Sequence, residues 1–577
     1  MSDRLTELEA KYAEVADQLR RLEGRIASLE GARPAATSRA RARAAHGAPG
    51  AARARSDTAA VLSSVSFVGR TLLVLAGGFV LRALTDAGTV PASVGVALGL
   101  AYAGAWIVFA DVAGRAGAAA SAGYHGAAAV LIGFPLIFEA AGRFGLLSPP
   151  AAAALLTVLG AAALAVAARR RLEALAWIVT LGGIATAVAL GAVTGRLGPP
   201  ALALVLLGVA TLWMSYVLDW FSLRWPAAIA ADLAVAALAV RVGMGRGGEG
   251  ALVAFSLQIV LMALYLGSVA ARTLLLRREV LPFEVGQTAA AIAAGLGGAA
   301  FVAVRSGSGA AALGAATTAL GLAAYGVAFA FLDRDGERRR NFTFYASAAL
   351  VLVLTGTALL LSRQALPIAW AVLGVVAAAL GRWQRRTSLA AHAAVYAVVS
   401  AFASGLVSHA VEALVASPAV EWGAAPRAAL PVLAALGAVA WLGSDASVRT
   451  RAGRVPRIVL LGVLACGVTG VAIGWVVPAI AGIPGHGAAA GEVATVRTAL
   501  LVAATLLLAW LGRRDAWADA GTLAYPALAA IGVKLLLEDV FRSRPATLFV
   551  AFACYGVALI LVPRLRGRRA AAAAARV

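Results

Sequence analysis

Residues 458–481 read IVLLGVLACGVTGVAIGWVVPAIA, twenty-four positions without one charged side chain. As a helix this run is about 36 Å long, enough to cross a hydrocarbon core of about 30 Å. A transmembrane strand would alternate polar and apolar residues at period two, and this run does not. The same composition, rich in Ala, Leu, Val and Gly, returns along most of the 577 residues. Hydrophobic residues make up 61% of the chain and charged ones 14%, with a mean hydropathy of +0.86. A soluble domain is near 45–50% apolar and about 25% charged, so soluble, disordered and disulfide-rich secreted classes are excluded. Cys466 and Cys554 lie far apart in apolar runs, which offers neither a disulfide framework nor a thiolate metal site. The expected fold class is all-α, a polytopic transmembrane helix bundle.

Working outward, residues 58–577 hold about 18 such runs, with 16 to 19 the plausible range. They fall approximately at 60–85, 89–110, 119–141, 149–168, 173–193, 199–219, 225–244, 250–271, 283–304, 309–332, 341–361, 365–381, 388–412, 426–443, 456–481, 495–511, 518–538 and 545–563. Loops after even-numbered runs carry the arginines, among them Arg169, Arg170, Arg171, Arg338, Arg339, Arg340, Arg449, Arg451, Arg513 and Arg514. With the C-terminal tail that side holds about 26 basic residues and the other about 11. One miscounted run would scramble the alternation downstream, yet it holds to the end. Both termini are therefore expected in the cytoplasm of a bacterial inner-membrane protein, with the lipid bilayer as surroundings. Connections are at most roughly 16 residues, too short for a soluble catalytic domain.

Residues 1–30 have a different pattern. Leu5, Leu8, Tyr12, Val15, Leu19, Leu22, Ile26 and Leu29 are spaced 3, 4, 3, 4, 3, 4, 3, a heptad seam. Charged residues fill the positions between, and Gly31 and Pro34 end the helix. A narrow stripe of this kind predicts a coiled coil, with a homo-oligomer as the partner call. A lone amphipathic helix is the other reading. Residues 31–57 form a basic linker expected to be disordered, with six arginines and one acid. It lacks aromatic residues for base stacking, so no nucleic-acid partner is expected. A polybasic segment at the anionic cytoplasmic leaflet fits better. The charged opening helix leaves no secretory signal in view. The net charge of +22 is thus chiefly a topology signal.

Two stretches carry a family resemblance. Val68-Gly69-Arg70 leads to Gly77-Gly78-Phe79-Val80-Leu81-Arg82-Ala83-Leu84-Thr85-Asp86-Ala87-Gly88. Near the other end stands Gly532-Val533-Lys534-Leu535-Leu536-Leu537-Glu538-Asp539-Val540, followed by Arg542. With the N-terminal heptads, these resemble the bacterial polytopic membrane proteins grouped as domain of unknown function 2339. In that family an early span ends in a basic residue followed by an acid. Its penultimate span carries a Lys-Leu-Phe-Leu-x-Asp-Leu-like motif, and here Leu536 and Val540 replace Phe and Leu. Members are often longer, so this is a compact version. The resemblance implies a many-helix inner-membrane protein and supplies no reaction.

Charges inside spans cost roughly 2.5–3.5 kcal/mol each on insertion scales, which singles out the few present. Arg82 and Asp86 are four apart on one helix face, and Lys534 and Glu538 repeat the spacing with Asp539 adjacent. Both pairs lie near span ends, where long basic side chains can also snorkel to the interface. Their placement at opposite ends of the chain hints at an internal repeat of the kind transporters use. His125 and Glu139 in the third span and Asp232 in the seventh complete the candidate intramembrane site. Tyr124, His392, His409 and Glu412 are further polar residues in these spans, expected as core or loop-edge residues. No His-x-x-x-His, Glu-x-x-His or Asp-x-x-Asp pattern occurs, and no phosphate loop or Gly-x-Ser-x-Gly elbow. No metal, cofactor or catalytic residue is expected. Three functions remain: transport or lipid handling through the buried charges, scaffolding through the coiled coil, and an intramembrane enzyme, which the short loops disfavour.

Overall fold

The computed structural model describes residues 85, 87–246, 248–332, 339–445 and 453–574. Their regular structure is entirely helical, with no strand among the described residues. In chain order they form α1 (Ala92–Arg115), α2 (Ala119–Gly142), α3 (Pro149–Arg170), α4 (Glu173–Thr194), α5 (Gly198–Leu218) and α6 (Arg224–Gly243). Then follow α7 (Ala251–Leu275), α8 (Pro282–Ser306), α9 (Ala310–Ala330), α10 (Arg340–Leu360) and α11 (Ala365–Trp383). A pair bent by 62°, α12 (Thr387–Ala403) and α13 (Leu406–Val415), precedes the short α14 (Ala429–Leu442). The last four are α15 (Arg454–Ile480), α16 (Ala490–Leu511), α17 (Asp515–Arg542) and α18 (Pro545–Leu565). By length and apolarity fifteen of these can cross a membrane, or sixteen if the bent pair is one span. Every run expected from 89–110 onward coincides with a helix or with the bent pair. The first run, the coiled-coil seam and the basic linker lie outside the described residues, Thr85 excepted.

The helices fall into two compact units, one of residues up to Thr194 with Met214–Leu223, the other of Gly195–Trp213 with Arg224 onward. In the first, α1 lies along α2, and α4 packs on α2 and α3. Their contact faces are small residues such as Ala103, Ala110, Ala129, Ala140, Ala167 and Ala176, all buried. Lipid tails are as apolar as leucine, so close van der Waals approach of small residues holds such helices together. One polar clasp assists: Asp111 on α1 binds Arg115 at 2.6 Å and Arg170 of α3 at 2.8 Å.

In the second unit, α6, α7 and α8 form one cluster, α9 and α10 a tight hairpin, and α11, α12, α14 and α15 a shared alanine-rich core. Helix α13 lies on α15, and α16, α17 and α18 pack together beside them. The bend between α12 and α13 is built by Gly405, whose φ of +79° is open to glycine at little cost. The reoriented α13 then meets α15 where Gly470 leaves room: a Cβ there would stand 2.4 Å from the Ala410 Cα. Several connections end helices in a left-handed residue that is not glycine. Arg171, Arg277 and Arg385 have φ of 53°, 51° and 56°. Each costs roughly 1–2 kcal/mol relative to glycine. A charged residue stands at each where a soluble helix often uses glycine, as does Asp219 with a φ of 61°.

Candidate functional site

Lys534, Glu538 and Asp539 converge with two residues the sequence reading did not single out, Arg497 and Thr498 of α16. Lys534 is one of only two lysines in the chain, the other being Lys11. Its Nζ donates to Asp539 Oδ2 at 2.7 Å, to Thr498 Oγ1 at 2.7 Å and to the Ala494 carbonyl at 2.5 Å. Glu538 Oε2 is farther, at 3.4 Å. The α-helical spacing points to Glu538 as the partner of Lys534, but the closer partner is Asp539. Local geometry explains this: residues Leu535–Asp539 form a π-helical turn within α17. Such a turn brings residues five apart into register and is frequent at functional positions. Thr498 hydroxyl in turn donates to Asp539, whose two oxygens are each 3.1 Å away.

Glu538 is thereby released toward Arg497, whose Nη1 donates to Oε1 at 2.7 Å. Arg497 is the largest wholly buried side chain among the described residues. Its remaining donors reach the carbonyls of Ala413 at 2.8 Å and Ala416 at 2.7 Å. These are orphan acceptors at the C-terminus of α13, where the helix dipole favours a cation. Above the guanidinium lies the Trp422 ring, 4.7 Å from Cζ to centroid. Two cations and two anions therefore neutralise one another in a region with almost no water, as buried charge requires. Arg542, 3.8 Å from Glu538, marks the more exposed rim.

Trp422 also lines a cavity of about 190 Å³. Its walls include His409, Glu412, Glu421, Trp422, Gly474 and Trp475. Glu412 Oε1 accepts the Gly423 N–H at 3.0 Å, which fastens the loop to α13. His409 is buried, and its Nε2 has no hydrogen-bond partner among the described residues. Gly474 leaves space for that ring, with its Cβ position 3.3 Å from Nε2. The bend at Gly405 thus places an acidic, aromatic-walled cavity directly against a neutral ionic network.

The other candidates are elsewhere. Asp232 on α6 receives a hydrogen bond from Gln287 of α8 at 2.9 Å, and its Oδ1 has no partner among the described residues. It takes no part in the 497–539 network. His125 and Glu139 belong to the first unit, where neither is without a partner, and the Trp106 ring lies 5.0 Å from that of His125. Arg82 and Asp86 lie outside the described residues. Of the residues weighed as core, His392 is buried and meets the Tyr325 hydroxyl at 3.1 Å. No group of three or more potential metal ligands occurs among the described residues.

Comparison with models of known families, with curated proteins and with solved structures gives no match. The functional reading therefore rests on the site.

Proposed function

We propose that this chain is a transport protein of the bacterial cytoplasmic membrane that admits a small cation at the 409–422 cavity. The observation that carries the reading is the cavity along α13, the short helix that follows a break, backed by a charge-neutral buried network. Transporters build substrate sites on interrupted helices, where helix ends and side chains offer fixed charge. Glu412 and Glu421 supply negative charge, while Trp422 and Trp475 supply aromatic faces, a combination suited to a cation up to the size of an alkylammonium ion. The loops around the cavity, 417–428 and 481–489, follow odd-numbered runs, so the arginine alternation assigns them to the outer face. In this reading about 18 helices span the membrane, both termini are cytoplasmic, and the chain is a compact relative of the domain of unknown function 2339 proteins. The network below the cavity would couple occupancy to movement of α13 against α15 and α16.

The test is direct. Purified protein in proteoliposomes is subjected to concentration jumps of Na⁺, K⁺ and methylammonium, and capacitive current is recorded on a supported membrane. At least one cation is expected to give a current that Glu412→Gln with Glu421→Gln abolishes. Currents equal to those of empty liposomes for all three ions would overturn the proposal.

A further inference from the structure

A second feature lies away from this cavity, between α8 and α10. These helices are joined at their N-terminal ends and part further along. Asn341, wholly buried, accepts the Val280 N–H at 2.8 Å and donates to the Arg278 carbonyl at 2.9 Å. The Tyr345 hydroxyl meets Thr273 Oγ1 at 2.8 Å just beyond. Past these pins a π-helical turn at Ile292–Gly297 bends the wall of α8. The result is an open groove of about 750 Å³, lined from Arg340 at one end to Thr355 at the other. Its surface is almost entirely apolar, with Ile292, Leu296, Phe344 and Val351 among its walls.

We infer that this groove is a binding site for one anionic glycerophospholipid of the membrane, with an acyl chain along α8 and α10 and its phosphate at Arg340. Length supports this: fifteen residues of helix cover about 22 Å, more than half of a hydrocarbon core of about 30 Å. One chain of one leaflet fills such a path. Charge agrees: Arg340 is half exposed at the polar end and held only loosely by Glu279, 3.7 Å away. Basic pockets between helices are recognised anionic headgroup sites. Assignment to the inner leaflet rests on the orientation proposed above.

The experiment uses full-length protein in vesicles of phosphatidylglycerol and phosphatidylcholine, with a diazirine in the acyl chain of one or the other lipid. After irradiation, label is mapped by peptide mass spectrometry. Peptides covering 285–297 and 344–355 are expected to carry about fivefold more label from phosphatidylglycerol than from phosphatidylcholine, the preference one arginine supplies near the membrane surface. Arg340→Gln should bring that ratio to one and leave acyl labelling in place. Ala348→Phe should remove most groove label without changing label at exposed Leu322 on α9. Ser347→Leu, at an exposed groove position, repeats the test should Ala348→Phe not elute as a single species. Equal labelling by both lipids, or groove label no stronger than at Leu322, would overturn the proposal.

Discussion

Removing Lys534 should cost far more than removing Lys534 together with Asp539. In the folded protein Lys534 lies 2.7 Å from Asp539 and 3.4 Å from Glu538. Asp539 is wholly buried, and apart from Lys534 its partner is a neutral hydroxyl, Thr498. Lys534→Met therefore leaves Asp539 as a buried anion without its counter-ion. Breaking a buried pair from one side costs about 3–5 kcal/mol. Asp539→Asn alone leaves Lys534 with Glu538 at longer range and should cost about 1–3 kcal/mol. Both together leave Arg497 and Glu538 as a self-contained pair, and exchange of a buried ion pair for neutral groups is often close to neutral. With a near-neutral double variant, the coupling energy in the double-mutant cycle should thus be at least about 4 kcal/mol, well beyond the error of additivity for distant sites. Steric trapping in bicelles measures the unfolding free energy without extrapolation from detergent. Single variants within about 0.5 kcal/mol of additive would refute the reasoning, because the network would then contribute no mutual stabilisation.

Three further outcomes follow from packing and sequence. Gly470→Ala should lower stability by about 1–3 kcal/mol, because α13 has no space to withdraw, whereas Gly437→Ala, with open space around its Cβ position, should be neutral or stabilising in the same thermal assay. Arg171→Gly should raise the stability of purified protein by about 1 kcal/mol by relieving its left-handed backbone, and a decrease would show that the side chain is holding structure. A peptide of residues 2–30 should sediment as an oligomer that Leu19→Glu dissociates, and a monomeric wild-type peptide would remove the coiled coil.

Hydropathy made the membrane helices readable because a span is a property of some twenty neighbouring residues, and local errors average out. The bend inside 388–412 was hidden for the same reason: Ser404-Gly405 hardly changes the mean apolarity of the run, whereas one positive φ redirects the chain. The pair Lys534 and Glu538 was legible from α-helical spacing. The closer contact with Asp539 was not, since no feature of the sequence announces a π turn. Arg497 escaped notice because the run was read as starting at 495, which made a buried arginine look like a flanking charge. Helix α16 in fact starts at Ala490 and places it two turns in. For Asp232 the partner is Gln287, a neutral residue that a search for paired charges passes over.

The central claim is that the 409–422 cavity opens to the outer face and holds a cation. Its most direct test is a cysteine at position 423, in a chain with Cys466 and Cys554 replaced by alanine, labelled in intact cells by a membrane-impermeant thiol reagent. Gly423→Cys is expected to react from outside, and the transported cation, but not a neutral analogue of equal size, should slow that reaction. Labelling only after the cells are permeabilised, or at the same rate with every solute, would contradict the account.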